Sequence, residues 1–470
     1  MSVLPIVDRE RELAELQRLA TAPPALVVLR GRRRVGKSHL LKAAFPAGRL
    51  ISFQADEQSE AGQLALLAGE AARLLPGTPP LHFGSWGDAL TFFARQAEQG
   101  PLTVVLDEFQ YLCRAQPALP SFLQRAWDEW QRARLPILLV LSGSAITFME
   151  GLLGQGAPLY GRADYRPLLQ PLDVWSAAEF ALPGTPADRL IERYAVLGGT
   201  PQYQVWAGRR PVPAIIEDVV LAKGAPLYEE PLNLLRAQEG IRDPGTYFAA
   251  LLAVAQGQTS TGQIASRAQV SSSVASRMLE RLRDLSYVEQ RVPVDLKHER
   301  ARAYWRIRDP YFRFWFRYVF PNRSRLEREL VAEVARDVTA DFSTFVGPVF
   351  EDCCRDWVGR RSPFAAESVE VGAWWSRKGD AETDVVAVGK DEHVLLGACK
   401  WQERDVGEGV LDQLYEHRAL LGPKAARARL ALFARRGFSA DVQKRASGED
   451  ILLVTAADLF AEAVNLPASH

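Results

Sequence analysis

A chain of 470 residues is too long for a single small module and suits about three domains of ordinary size. Its 57 Lys and Arg balance 57 Asp and Glu, so a globally basic surface that would hold nucleic acid non-specifically is excluded, and any such partner needs a local patch. Hydrophobic content of 47% with 24% charged residues is that of a folded protein rather than a disordered one. Cys113, Cys353, Cys354 and Cys399 lack the spacing of a zinc site and are too few for a disulfide framework. Charges from residue 8 onward and the lack of an apolar run of about 18 residues give the expectation of a cytoplasmic protein with no membrane partner.

In chain order, residues 8–20 place Leu13, Leu16 and Leu19 at helical intervals, and a continuous apolar strand follows at 25–29. Similar runs occur at 50–53, 102–106 and 137–141, with helical patterns between them. Residues 1–175 therefore predict a doubly wound parallel α/β sheet with helices on both faces. Residues 176–245 lose the apolar strands and predict a helical lid. Residues 246–306 run helix, short helix, turn, longer helix and strand pair, the order of a winged helix-turn-helix. An aromatic and basic helical connector (307–340) leads to a further α/β core (341–470).

The run GRRRVGKS at 31–38 follows a strand and opens a helix, the two contexts a phosphate-binding P-loop requires. Gly31 and Gly36 let backbone N–H groups approach phosphates, and the helix N-terminus adds its positive dipole end. Lys37 then reaches the β and γ phosphates of ATP, and Ser38 offers a hydroxyl to Mg²⁺. Arg32, Arg33, Arg34, Val35 and His39 complete the expected nucleotide contacts.

A carboxylate at the end of a second buried strand should complete the Mg²⁺ shell, and Asp107 follows the run 102–106. Glu108 beside it is placed to polarise an attacking water. Ser142 and Ser144 end the next strand, either as sensors of the γ phosphate or as ordinary turn formers. Arg162 lies in a Gly-rich loop and is either an arginine finger, for its own or a neighbour's nucleotide, or a solvated side chain.

The segments GRRRVGKSHL, LDEFQYL, LSGSAITFM and PLYGR, with Gly198-Gly199-Thr200-Pro201 and Tyr203, resemble the archaeal-type ATPase family, P-loop ATPases near the AAA+ and STAND groups. The resemblance spans about residues 1–230. It implies nucleotide contacts at Lys37 and Ser38, with Mg²⁺ at Asp107 and a catalytic glutamate at Glu108. It continues through IRDPYFRFWFRYVFP to the C-terminus, where many members carry a domain similar to PD-(D/E)XK restriction-endonuclease-like proteins. Such a site combines a helix glutamate, an aspartate on a strand and a carboxylate two residues before a lysine. Glu351, Asp384 and Lys400 match, but Ala398 stands where the second carboxylate belongs, which favours a fold with impaired or absent cutting.

In the winged-helix candidate, Val274, Met278, Leu282 and Leu285 form a buried stripe. Ser272, Ser273, Ser276, Arg277 and Arg281 lie opposite, as DNA contacts or as a solvated face. Residues 261–330 hold fifteen Lys and Arg against eight Asp and Glu, an excess of +7 that marks this stretch as the candidate DNA surface. The aromatic run Tyr311–Tyr318 reads better as buried packing than as a base-stacking platform. Together these features predict an ATP-hydrolysing switch or motor, with ATP and Mg²⁺ as ligands, acting on DNA or a DNA-associated partner. Two alternatives stand beside it, a signalling or defence regulator that binds ATP without turnover and an ATP-gated metal-dependent nuclease. A protein partner and a homo-oligomer stay open.

Overall fold

The computed structural model describes residues 6–21, 24–46, 48–74, 80–238, 241, 243–294, 303–376 and 380–461. The chain forms two compact units: residues 1–172 with 200–202 and 238–240, and the rest. No helix among the described residues is long and apolar enough to cross a membrane.

The first unit is built on β1 (Ala25–Arg30), β2 (Leu50–Gln54), β3 (Leu102–Asp107) and β4 (Ile137–Gly143), all parallel, in the spatial order β1-β4-β3-β2. Both faces of the sheet are covered, which is why these strands read as unbroken apolar runs. Leu26, Val28, Val104, Leu106, Leu139 and Leu141 enter one core with Trp86, Phe93 and Trp127. Val27, Leu29, Val105, Leu138 and Val140 enter the other with Leu16, Leu40 and Leu41. Alternate residues thus serve opposite cores, and each fully buried Leu or Val contributes about 1.5–3 kcal/mol. Residues 165–168 extend along the other side of β1, where Val28 N–H donates to the Tyr165 carbonyl (3.0 Å) and Arg30 N–H to that of Pro167 (2.9 Å). β1 is therefore interior. The strand at 50–53, which lies between the two motifs in sequence, takes the outer position, and β4 separates them in the sheet.

The second unit begins with helices that include Val174–Ala178, Ala187–Leu197 and Glu230–Arg236. Helices Pro244–Ala255, Thr261–Arg267 and Ser272–Asp284 follow, then an antiparallel pair of β5 (Val288–Arg291) and β6 (Tyr304–Ile307). Ser260 and Gln263 form a capping box on the second of these helices, and Ser271 caps the third, so both starts are encoded locally. The aromatic run packs inward: Tyr311, Phe312, Phe314 and Trp315 are fully buried, and Trp315 Nε1 donates to the Tyr228 carbonyl (2.7 Å).

A single helix, Val331–Arg360, comes next. The domain boundary expected between residues 340 and 341 falls inside it. The reason lies in its buried positions, since Val334 and Val338 at one end and Val349, Phe350 and Trp357 at the other enter the same core, so no stop signal divides them. Five strands complete the unit: β7 (Glu370–Trp375), β8 (Glu382–Val388), β9 (His393–Lys400), β10 (Arg429–Ala434) and β11 (Ile451–Thr455). They lie in numerical order across one sheet, antiparallel from β7 to β9 and parallel from β9 to β11.

The antiparallel pair of β5 and β6 is anchored to this sheet. Val294 N–H donates to the Ala373 carbonyl on β7 (3.0 Å), and the Tyr304 ring lies 5.0 Å from that of Trp375. Arg291, Arg306, Arg313 and Arg355 all donate to the half-buried Asp352. Burial opposes its charge, but these four guanidinium groups hold the Asp352 carboxyl well below its ordinary range.

Candidate functional site

The loop after β1 turns into the helix Lys37–Ala44 at Gly36, whose φ of +97° is disfavoured for any side chain bearing a Cβ. Lys37 is 5% exposed, and its Nζ donates to the carbonyls of Gly31 (2.9 Å) and Arg32 (3.4 Å). Burial pushes the Lys37 ammonium below its ordinary pKa. Glu108 and Asp107 oppose that shift, and Arg33 adds to it. These four charges therefore share one electrostatic neighbourhood.

Ser38 Oγ donates to Asp107 Oδ2 at 2.7 Å, and Asp107 Oδ1 accepts the Glu108 N–H at 3.0 Å. Glu108 itself adopts a left-handed backbone (φ +53°) as it leaves β3, a conformation uncommon outside glycine. Its Oε2 accepts from Ser144 Oγ (2.7 Å), Ser144 N (3.3 Å) and Gln110 Nε2. Ser144 follows β4, the strand between β1 and β3, so sheet order brings it to the carboxylate. Ser142 Oγ is buried without a hydrogen-bond partner among the described residues.

Arg32 is buried and donates to Thr200 Oγ1; Arg33 Nη2 donates to Tyr111 Oη (2.7 Å). Val35 is buried in the core under the loop, and His39 is half-buried. Arg162 is paired in fork geometry with Asp128 (2.8 and 2.9 Å), so its guanidinium is already matched by a carboxylate. Gln110, Tyr111 and Thr200 lie within segments that carry the family resemblance but had no assigned role; their partners Ser144, Arg33 and Arg32 lie 34, 78 and 168 residues away in sequence.

In the second unit, Ser272, Ser273 and Arg277 are exposed on the helix Ser272–Asp284, whereas Ser276 and Arg281 are half-buried. Among the described residues the +7 stretch is not an open basic face. Six of its fifteen cations, Arg291, Arg306, Arg313, Arg317, Arg323 and Arg325, pair with Asp352, Asp341, Glu229, Glu333 and Asp337, all outside residues 261–330. Lys297, Arg300 and Arg302 lie outside the described residues.

Glu351 and Asp384 come close enough to interact, and burial with the Asp384 charge pushes the Glu351 carboxyl up to about 7. Burial also raises the Asp384 pKa, although its Oδ2 accepts the Cys399 N–H at 2.7 Å. Arg355 donates to the Asp384 carbonyl and lies 3.6 Å from Glu351. Among the described residues no group of three or more His, Cys, Asp and Glu could hold a metal ion.

Residues 315–410 match the family model DUF234, described as archaea bacterial proteins of unknown function. An uncharacterized protein of Methanocaldococcus jannaschii is 26% identical over 429 residues, covering 88% of this chain and 92% of that protein. Among solved structures, the Walker-type ATPase of Pyrococcus abyssi is similar with a TM-score of 0.48 and 21% identity, over 66% of this chain and 96% of that one. The Aeropyrum pernix ORC2 protein, solved with ADPNP and ADP, gives 0.43 and 16% over 71% and 95%. The Aeropyrum pernix ORC1 protein in complex with DNA gives 0.35 and 16% over 69% and 96%.

Proposed function

We propose that this chain binds ATP with Mg²⁺ at the loop after β1 and hydrolyses it. The observation that carries the reading is the convergence of Lys37, Ser38, Asp107, Glu108 and Ser144 at the carboxyl ends of β1, β3 and β4. Ser38 Oγ and Asp107 Oδ2 are hard oxygen ligands that fit Mg²⁺, and the buried Ser142 hydroxyl leaves a further polar group to be satisfied. Bound there, Mg²⁺ would neutralise phosphate charge. Lys37 would exchange its two loop carbonyls for phosphate oxygens, a stronger charge-assisted contact. Glu108, held through Oε2, would take the proton of the attacking water.

Turnover of ATP by the wild type, Lys37→Ala and Glu108→Gln tests this. The wild type should hydrolyse, Lys37→Ala should fail to bind, and Glu108→Gln should bind without turnover. Equal rates in all three would sink the reading.

The finer part of the proposal is that ATP turnover repositions a DNA-contacting element. The exposed Ser272, Ser273 and Arg277 on the second helix of the pair Thr261–Arg267 and Ser272–Asp284 support it. A cutting role for the C-terminal sheet fits less well: Ala398 removes one ligand, and the Arg355 guanidinium already lies beside Glu351 and Asp384.

A further inference from the structure

Attack on a γ phosphorus builds negative charge on the terminal and bridging oxygens, and a second cation placed there stabilises the transition state more than the ground state. Arg162, the candidate suggested by sequence, is matched by Asp128. Arg33 differs in three respects. It belongs to the phosphate loop itself, four residues before Lys37. Its guanidinium lies near enough to act on the Lys37 ammonium. Its described partner is the neutral Tyr111 hydroxyl, on the helix Phe109–Ala115 that begins directly after Glu108. That bond ties the guanidinium to the helix that follows the candidate base, and a phenol is a weaker acceptor than a phosphate oxygen.

We propose that Arg33 is a catalytic arginine supplied by the phosphate loop, held on Tyr111 without nucleotide and transferred to the γ phosphate when ATP binds. The inference rests on the ATP-hydrolysis reading above. In the step, the water oxygen forms a bond to the γ phosphorus as the bond from phosphorus to the bridging oxygen breaks. That electron pair leaves on the β phosphate of ADP. One water proton passes to Glu108 and on to solvent, while the other stays on the inorganic phosphate. Arg33 exchanges no proton; its planar fork meets the oxygens on which charge builds.

The test uses the full chain with Arg33→Ala, Arg33→Lys and Tyr111→Phe, and measures single-turnover hydrolysis, equilibrium binding of a fluorescent ATP analogue, and capture of ADP with aluminium fluoride. Arg33→Ala should slow hydrolysis at saturating ATP by about 100-fold or more, change ATP affinity by less than about threefold, and lose the ADP–aluminium fluoride complex. Arg33→Lys, which keeps charge without the fork, should recover only part of the rate. Tyr111→Phe should tighten ATP binding, because the competing acceptor is gone. Hydrolysis by Arg33→Ala within about threefold of the wild type, or an affinity loss as large as the rate loss, overturns the inference while leaving the ATPase reading intact. If Arg33→Ala melts early, full activity in Arg33→Lys overturns it instead. Absence of wild-type hydrolysis removes both.

Discussion

Ser144 donates its hydroxyl to Glu108 at 2.7 Å, and its own N–H reaches the same carboxylate oxygen at 3.3 Å. One residue on β4's exit therefore orients the proposed base on β3's exit. Removal of the hydroxyl in Ser144→Ala should lower ATP turnover about 10- to 100-fold with ATP affinity nearly unchanged, because a misaligned base costs rate rather than binding. Steady-state kinetics beside equilibrium nucleotide binding will separate the two.

Gly143 supports the same clamp from behind. A Cβ there would come within 2.7 Å of both Gln110 Oε1 and Met149 Sδ. Gly143→Ala should therefore displace the Gln110 amide from Glu108 and reproduce the Ser144→Ala rate defect, with an added stability loss of about 1–3 kcal/mol from overpacking. A thermal melt and a turnover assay on one sample check both parts.

Asp352 is the common acceptor for Arg291, Arg306, Arg313 and Arg355. Asp352→Ala would leave four guanidinium groups clustered without it, and should cost about 3–5 kcal/mol in urea unfolding. Turnover at the first unit's loop need not change in proportion. A loss below about 1 kcal/mol would mean that water or Glu289 neutralises the cluster.

Glu351 sets a pH dependence. Its carboxyl is raised to about 7 from 4.5 by burial and Asp384, with Arg355 and Arg291 acting against Asp352 and Asp384. The folded chain therefore holds a proton that the unfolded chain has released. This contribution is full below about pH 4.5 and is lost as pH rises through 7, worth about 1–3 kcal/mol in all. The melting temperature should fall from pH 5 to pH 8, and Glu351→Gln should remove most of the difference. An unchanged pH profile in Glu351→Gln would contradict this assignment.

DNA affinity offers a contrast between two arginines. Arg277 is exposed, whereas Arg317 is held by Asp341 (2.8 Å from Nε). If the Ser272–Asp284 helix meets DNA, Arg277→Ala should weaken binding and reduce the slope of log K against log salt by about 1, and Arg317→Ala should do neither. Fluorescence anisotropy across a salt series measures it. Equal defects in both would point away from this helix.

The phosphate loop is legible in sequence because its chemistry is carried by consecutive residues, and Asp107 and Glu108 because they end an unmistakable apolar strand. The order of the strands is not. The runs at 50–53 and 137–141 are equally apolar, and only chain crossover decides that the second one lies between the two motifs. Gln110, Tyr111 and Thr200 lie in segments quoted for the family resemblance, but their contacts with Ser144, Arg33 and Arg32 are not legible for the same reason, since tertiary packing brings those partners near. Charge counting over residues 261–330 fails differently. A sum along the chain cannot register carboxylates contributed from Glu229 or from the Val331–Arg360 helix.

That last pairing bears on how the middle of the chain can be handled. A fragment cut at residue 330 would keep Arg291, Arg306, Arg313, Arg317 and Arg325 but leave behind Asp352, Asp341, Glu333 and Asp337. With only Glu289 left to Arg291 and Arg306, and none of these outside carboxylates left to Arg313, Arg317 and Arg325, the fragment would carry uncompensated cations and adhere to any polyanion, heparin as readily as DNA. Retention of such a fragment on a nucleic-acid column would report the cut rather than the protein.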